Sequence, residues 1–520
     1  MAYVKKLKPI IPFLLFFLLA FTYTFILAKP INLAVTDIGR HLVNGREVIA
    51  QNWQILYKNT YSFSMPNQPF VNHHWFSGVV FWLVYSIGGF HSLHLFHTGI
   101  LLAFFGLFFV LLKKHSSWLM SFLLCLFSLI FLAGRTEIRP ESFGFLLLAI
   151  VLLIIQKIRS EKQLSWKTST ILIITQLIWV NLHISFVFGM FTFALFTLIE
   201  KTITKTLNKN NQNKLIVTTI LMGLVNLINP NTIQGALTPF MIFQDYGYRV
   251  YENQNLWFLR NMYQGPVIPL VFIISLIIFL IILFMEFPRN YIFEKAMAIT
   301  GVFLGLNALR NTPLFVIFTF PLLAQAMYQL VKIIRKKITF EQPKLTSFLA
   351  ITIPFLIIWI SLGSTDVFRK TNKGFVFGLI PNQQEALNFL NKLPNNAKVF
   401  NNYDVGSLLV FSFYPDKKVF VDNRPEAFSS DFFQNLYIPM QNSDTIWQQA
   451  LAKYDFNFIV FGHKDLTPWA QAFMKARLRD QAWKIIYIDE TIIVFAKDIP
   501  DNQDLIKQFM VEVPLSRLRI

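Results

Sequence analysis

Phe76–Phe90, FSGVVFWLVYSIGGF, is apolar over too few residues to cross a bilayer comfortably, and its reading sets the orientation of everything that follows. A spanning helix takes about 17–25 apolar residues, whereas a core of roughly 10–14 suits an interfacial or re-entrant piece. The chain around it is 54% hydrophobic, 16% aromatic and only 14% charged, far from the composition of soluble domains. Apolar runs near 10–28, 92–112, 117–134, 141–157, 168–183, 185–200, 214–229, 266–286, 292–308, 312–331 and 346–363 are long enough to span, or slightly shorter and bounded by polar residues. The expectation is a polytopic α-helical membrane protein with about eleven transmembrane helices.

Charge decides the place of 76–90. If it lies on the outer surface, the inner loops downstream carry Lys113 and Lys114, then Lys157, Arg159, Lys162 and Lys167, then Lys201, Lys205, Lys209 and Lys214. They also hold Arg289, Lys295, Lys332, Arg335, Lys336, Lys337 and Lys344, while the outer loops between spans hold only Arg135, Arg139, Arg249, Arg260 and Arg310. Making 76–90 a span inverts that ratio, against the positive-inside tendency. The N-terminus is therefore expected in the cytoplasm and the C-terminal region outside, across a bacterial inner membrane. The first run follows Lys5, Lys6 and Lys8 and has no small-residue cleavage pattern before Lys29, so it reads as a retained anchor. Topology and anionic lipids explain the formal charge of +19 better than nucleic acid does, and no nucleic-acid partner is expected. Cys125 is alone inside an apolar run, which excludes an intramolecular disulfide and a thiol metal cluster.

With this orientation the polar clusters share one face: 29–75 of the first outer loop 29–91, Gly134–Glu141, Trp179–Ser185, Asn229–Gln264 and Asn307–Pro313. A transporter would place such groups near the bilayer midplane. The pattern favours a site at the outer surface. In Ala34–Arg46, AVTDIGRHLVNGR, Asp37 stands beside Arg40 and His41, and on a helix the three share one face. Asp37 suits a general base or an oxygen ligand for a divalent cation, Mg or Mn. Arg46 reads equally as an intrahelical ion-pair partner. His73 and His74 are adjacent and so make a poor metal pair, and one of them suits a hydrogen bond to a phosphate or sugar hydroxyl while the other packs. His183 is as well placed to cap a polar turn as to touch a ligand.

Arg139 and Arg310 are the phosphate candidates, because a guanidinium matches phosphate oxygens bidentately. Glu137 lies between Arg135 and Arg139, and Glu141 after Pro140 is ordinary helix-start chemistry. The aromatics of 239–263 read as an interfacial belt or as platforms for sugar rings.

After Asp366 the pattern changes to β-type runs at Ala397–Asn401, Lys418–Asp422, Phe456–Phe461, Trp483–Tyr487 and Ile492–Phe495, with helical stretches near 381–392, 443–454 and 465–478. This is a small extracytoplasmic α/β domain, 366–520, following a membrane domain, 1–365. Asp404, Asp422 and Arg424 lie on loops after strands, the usual place for function. No nucleotide-binding glycine loop, nucleophile elbow or zinc pattern is present, so an accessory or acceptor-binding role is expected.

The segments Asp37-Ile-Gly-Arg-His-Leu42, His73-His-Trp-Phe-Ser77, Arg139-Pro140, Asn181-Leu-His-Ile-Ser185, Asn229-Pro-Asn231, Leu309-Arg-Asn-Thr-Pro-Leu314 and Val421-Asp-Asn-Arg424 resemble a bacterial group within the GT-C superfamily of polytopic glycosyltransferases. That superfamily includes protein mannosyltransferases, aminoarabinose transferases and oligosaccharyltransferases. The resemblance implies Asp37 as the catalytic acidic residue; guanidinium chemistry adds Arg139 and Arg310, and Arg40 beside the acid, as candidates for the donor phosphate. The resemblance also implies a polyprenyl-phosphate-linked sugar donor drawn from the membrane lipid phase and a lipid, glycan or protein acceptor. Many relatives carry a second acid in a stricter Asp motif, where this chain offers Glu137 and Glu141, which shifts the balance from metal ligand towards general base. The second reading is a non-enzymatic polyprenyl-lipid-binding or transport component of envelope assembly.

Overall fold

The computed structural model describes residues 10–241, 245–259, 267–337 and 375–512. The expected span at 346–363 lies outside them. Every other apolar run named above lies on a helix: α1 Ile10–Leu27, α3 Trp75–His115, α4 Trp118–Leu132, α5 Glu141–Glu161, α6 Trp166–Leu182, α7 Phe186–Ile199, α8 Lys209–Val225, α10 Val267–Phe284, α11 Ile292–Asn307 and α12 Thr312–Lys337. Two shorter amphipathic helices lie between them, α2 Ile38–Ile49 and α9 Thr232–Met241. Among the described residues four helices are long and apolar enough to cross a membrane, Trp75–His115, Glu141–Glu161, Phe186–Thr204 and Leu309–Ile333, and Leu14–Leu27, Trp118–Leu132 and Pro269–Ile282 are shorter apolar helices. The structure thus supports a helical membrane protein without fixing a count of eleven.

The segment 76–90 is helical and continuous with the following run. The 41-residue α3 bends at Gly88 and Gly89, where Gly89 adopts φ 63°, ψ −147°, a conformation that a side chain strongly disfavours. The bend separates a first limb, 75–87, from the long apolar limb. Against the first limb lies α2, and the crossing is closed by glycine: a Cβ on Gly45 would sit 2.0 Å from the Gly78 carbonyl oxygen.

The C-terminal residues form a sheet in the order β1-β2-β4-β3, from β1 Val399–Asn401, β2 Phe458–Gly462, β3 Trp483–Ile488 and β4 Ile492–Lys497. β1 runs parallel to β2, and the other pairs are antiparallel. Helices α13 Gln383–Leu390, α14 Gly406–Phe413, α15 Asp444–Tyr454 and α16 Pro468–Arg477 cover it. The run at 418–422 was expected as a strand but lies outside this sheet. Its backbone is taken by the first loop, with Val419 N–H donating to Tyr61 O at 2.9 Å and Phe63 N–H to Val419 O at 3.0 Å.

One hydrophobic core joins both parts. Ile38 and Leu42 of α2 and Phe81 of α3 pack in the same cluster as Leu408 of α14 and Val460 and Val494 of the sheet. The opposite face of the sheet buries a second, aromatic cluster around Phe400, Trp447 and Phe473, into which Phe70 of the first loop also packs. Burial at roughly 25 cal/mol per Å² makes such shared cores the main force holding the two parts together.

Candidate functional site

Asp37 is the N-cap residue of α2, yet its side chain caps nothing. A helix start normally consumes such a carboxylate, because its oxygen accepts from the first free backbone N–H groups. Here Asp37 Oδ1 instead accepts a hydrogen bond from Asn423 Nδ2, and Oδ2 stands 4.0 Å from Arg40 Nη2. Arg40 Nε donates to Asn423 Oδ1 at 3.4 Å, so one amide spans the acid and the guanidinium. The Arg40 backbone N–H donates to Ser407 Oγ at 3.0 Å, which fixes α2 to α14. The Asp37 side chain keeps 28% exposure while Arg40 keeps 5%, leaving the carboxylate as the accessible member.

His41 belongs to a cluster of four imidazoles around His74. Ring centroids of His41 and His74 are 5.4 Å apart, those of His73 and His74 3.9 Å, and those of His74 and His183 5.0 Å with nearly parallel planes. Burial, reinforced by surrounding cations such as Arg40 and Arg310, pushes all four below the usual histidine range, His73 to about 4 and His183 to about 3. The rings are therefore neutral near pH 7 and can supply hydrogen bonds without charge.

Three further arginines lie near the cluster: Arg139 acts electrostatically on His41, and Arg135 and Arg310 on His183. Arg135 donates Nε and Nη2 to the two oxygens of Glu141 at 2.7 and 2.6 Å. Arg139 pairs with Glu137 through Nε at 2.9 Å and Nη2 at 2.6 Å. Both turn Nη1 to Glu252, Arg135 at 2.5 Å and Arg139 at 2.6 Å, and Arg310 Nη1 donates to Asn253 Oδ1 at 2.9 Å. Asp37 is close enough to act electrostatically on Arg139, as Arg310 is on His73 and His183. Asp37, Arg40, Arg139, Arg310, Glu137 and the four histidines are thus brought into one region.

Asp404 belongs to it from the C-terminal side: burial, then the Asp465 and Asp37 charges, push its carboxyl up to about 7. Asp422 and Arg424 do not open onto the region. Both are wholly buried and bonded to each other, and Arg424 lies between the rings of Tyr61 and Phe70 at 4.5 and 4.7 Å. They clamp the first loop to the sheet. Tyr248 likewise stacks on Tyr403 at 4.2 Å, which takes it out of the expected belt.

Asn423, Glu252 and Asn253 are the groups missed in the sequence. Asn423 sits inside the quoted Val421–Arg424 stretch, next to residues singled out for their charge. Glu252 has no local signal, being 113 residues from Arg139.

Among the described residues no three His, Cys, Asp or Glu side chains are placed to hold a metal ion. The groups facing Asp37 are an amide N–H and a guanidinium. No step below passes through a metal ion.

No family model matches this chain, and no curated protein does. Solved structures do. The oligosaccharyltransferase AglB of the archaeon Archaeoglobus fulgidus, in complex with an inhibitory peptide and a dolichol-phosphate, superposes with a TM-score of 0.56 at 12% identity, covering 95% of this chain and 75% of that one. This chain shares the fold of that enzyme. The apo form of the Archaeoglobus fulgidus enzyme matches at 0.56 and 9% identity, over 96% and 76% of the two chains. Its complex with Zn and sulfate matches at 0.52 and 12%, over 94% and 74%. At such identities the likeness concerns the fold alone, and the residues of this chain must argue its chemistry.

Proposed function

We propose that this chain is a membrane glycosyltransferase that moves a sugar from a polyprenyl-phosphate-linked donor to an acceptor on the outer face of a bacterial inner membrane, with the C-terminal part outside. The observation that carries the reading is the uncapped Asp37 carboxylate at the start of α2, within electrostatic reach of Arg139. An acid held by Asn423 and Arg40 can take the acceptor hydroxyl proton. In this reading Arg139 and Arg310 stabilise the charge that develops on the departing phosphate, and Arg40 assists from beside the acid. The neutral histidines orient phosphate or sugar oxygens. The transfer inverts the anomeric carbon: the acceptor oxygen forms the new bond as the bond to the donor phosphate breaks, with the proton on Asp37 and the negative charge on the phosphate.

Asp404 and the sheet it stands on are read as the acceptor side of the site. The two-part division, near residue 365, follows the same reading. The test is Asp37→Asn in the full-length protein, assayed with a polyprenyl-phosphate sugar. Transfer is expected to fall by at least the 10²-fold typical of a lost general base, with unchanged thermal unfolding. Full transfer by the variant rejects the assignment.

A further inference from the structure

Arg135 and Arg139 each possess a carboxylate of their own: Glu141 and Glu137 lie six and two residues away and occupy Nε and Nη2. These local pairs hold both guanidinium planes and leave one donor, Nη1, free of local obligation. Both Nη1 groups point to the same remote acid, Glu252. The third arginine, Arg310, gives its Nη1 to the very next residue, Asn253. Three donors from two segments, the 134–141 loop and the turn at 309–311, therefore converge on a short turn, Tyr251–Asn253.

Charge points the same way. Glu137 and Glu141 neutralise two of the three arginines, and Glu252 supplies the remaining negative charge. Burial works against the ionised Glu252 carboxyl, but Arg135, Arg139 and Arg310 outweigh it and hold it well below the usual carboxylate range. The side chains stay within reach of solvent, with 20% exposure for Glu252 and 17% for Arg139. A phosphodiester also carries one negative charge and accepts from guanidinium groups in the same fork geometry.

We propose that Arg135, Arg139 and Arg310 form one phosphate-ester site in which the Glu252 carboxylate is the resident anion, and that a lipid phosphate binds by taking the Arg135 and Arg139 Nη1 donors from it and that of Arg310 from Asn253. This rests on the donor-phosphate reading above. It adds Arg135 to the site and makes the turn 251–253 the element released on binding. A phosphodiester replaces the carboxylate charge for charge. A phosphomonoester, with about −1.5 to −2 near pH 7, displaces it more strongly, so the spent carrier competes with the fresh donor.

The test titrates polyprenyl phosphate into the detergent-solubilised full-length protein, its Glu252→Gln variant and its Arg135→Gln variant. Glutamine keeps the shape and removes the competing charge, so Glu252→Gln is expected to bind about tenfold tighter or more, the worth of one charge-assisted hydrogen bond. Arg135→Gln is expected to bind more weakly by a similar factor. Equal or weaker binding by Glu252→Gln, with the wild type still binding, overturns the exchange and leaves the donor reading standing. No binding by either overturns both.

Hydrogen exchange in wild-type residues 245–259 gives a reading independent of the variants' folding. Faster exchange on adding polyprenyl phosphate supports release of the turn, and added protection overturns it. Inorganic phosphate is the second probe: release by it at the same concentration assigns the site to free phosphate, and release by the lipid alone assigns it to the headgroup.

Discussion

Asp422→Ala removes two of the three acceptors of an enclosed guanidinium, and the only charged ones. In the native protein Asp422 Oδ1 takes Arg424 Nε at 2.7 Å and Oδ2 takes Nη2 at 2.7 Å. Both side chains are fully out of solvent. After substitution Arg424 keeps the Asn59 Oδ1 acceptor at 2.9 Å and the faces of Tyr61 and Phe70, contacts it already has. Nothing new offsets the loss, and stranding one member of a buried pair costs about 3–5 kcal/mol. The loss is expected to fall on the junction between the first loop and the sheet, since Tyr61 and Phe63 make backbone bonds to Val419 beside it. Chemical unfolding in detergent measures the cost, and hydrogen exchange at 59–63 and 419–421 locates it. The double variant Asp422→Leu, Arg424→Met should regain most of the stability, because apolar replacements of similar volume are often neutral. A loss below about 1 kcal/mol for Asp422→Ala, the range of exposed pairs, would refute the enclosed-clamp argument.

Two further outcomes follow from the geometry. Gly45→Ala places a methyl group 2.0 Å from the Gly78 carbonyl, so α2 must move off α3, and destabilisation of about 1–3 kcal/mol is expected from overpacking; unchanged thermal unfolding would contradict the crossing. Asp404 has its carboxyl pushed up to about 7 by burial and by Asp465 and Asp37, so between about 4 and 7 the folded chain holds a proton that the unfolded chain has released. Its contribution to stability therefore falls as pH rises through that window, and Asp404→Asn should match wild type near pH 4 and exceed it at pH 8. Unfolding measured at both pH values checks the crossover, and a variant less stable at pH 8 would rule it out.

The helical character was legible because it is local: runs of apolar residues bounded by basic loops state their preference for lipid whatever lies next to them. The polar breaks likewise announced Asp37, the histidines and Arg139, since charged or polar groups between apolar runs are conspicuous. The strands at 399, 458, 483 and 492 were readable from β-type residues in short runs. The 418–422 run looked the same but pairs with the first loop, because strand patterning records a preference for extended backbone and not the identity of its partner.

Asp422 and Arg424 show the same boundary from the other side. Their charges suggested a loop at work, and their burial, which depends on Tyr61 and Phe70 some 350 residues earlier, makes them a clamp. Glu252 is the clearest case. Sequence alone marked the arginines as anion seekers, since guanidinium chemistry travels with the residue. Only the folded chain decided which anion they hold, because Arg135 and Arg139 meet one distant carboxylate, and Arg310 the residue beside it, through contacts that no local pattern encodes.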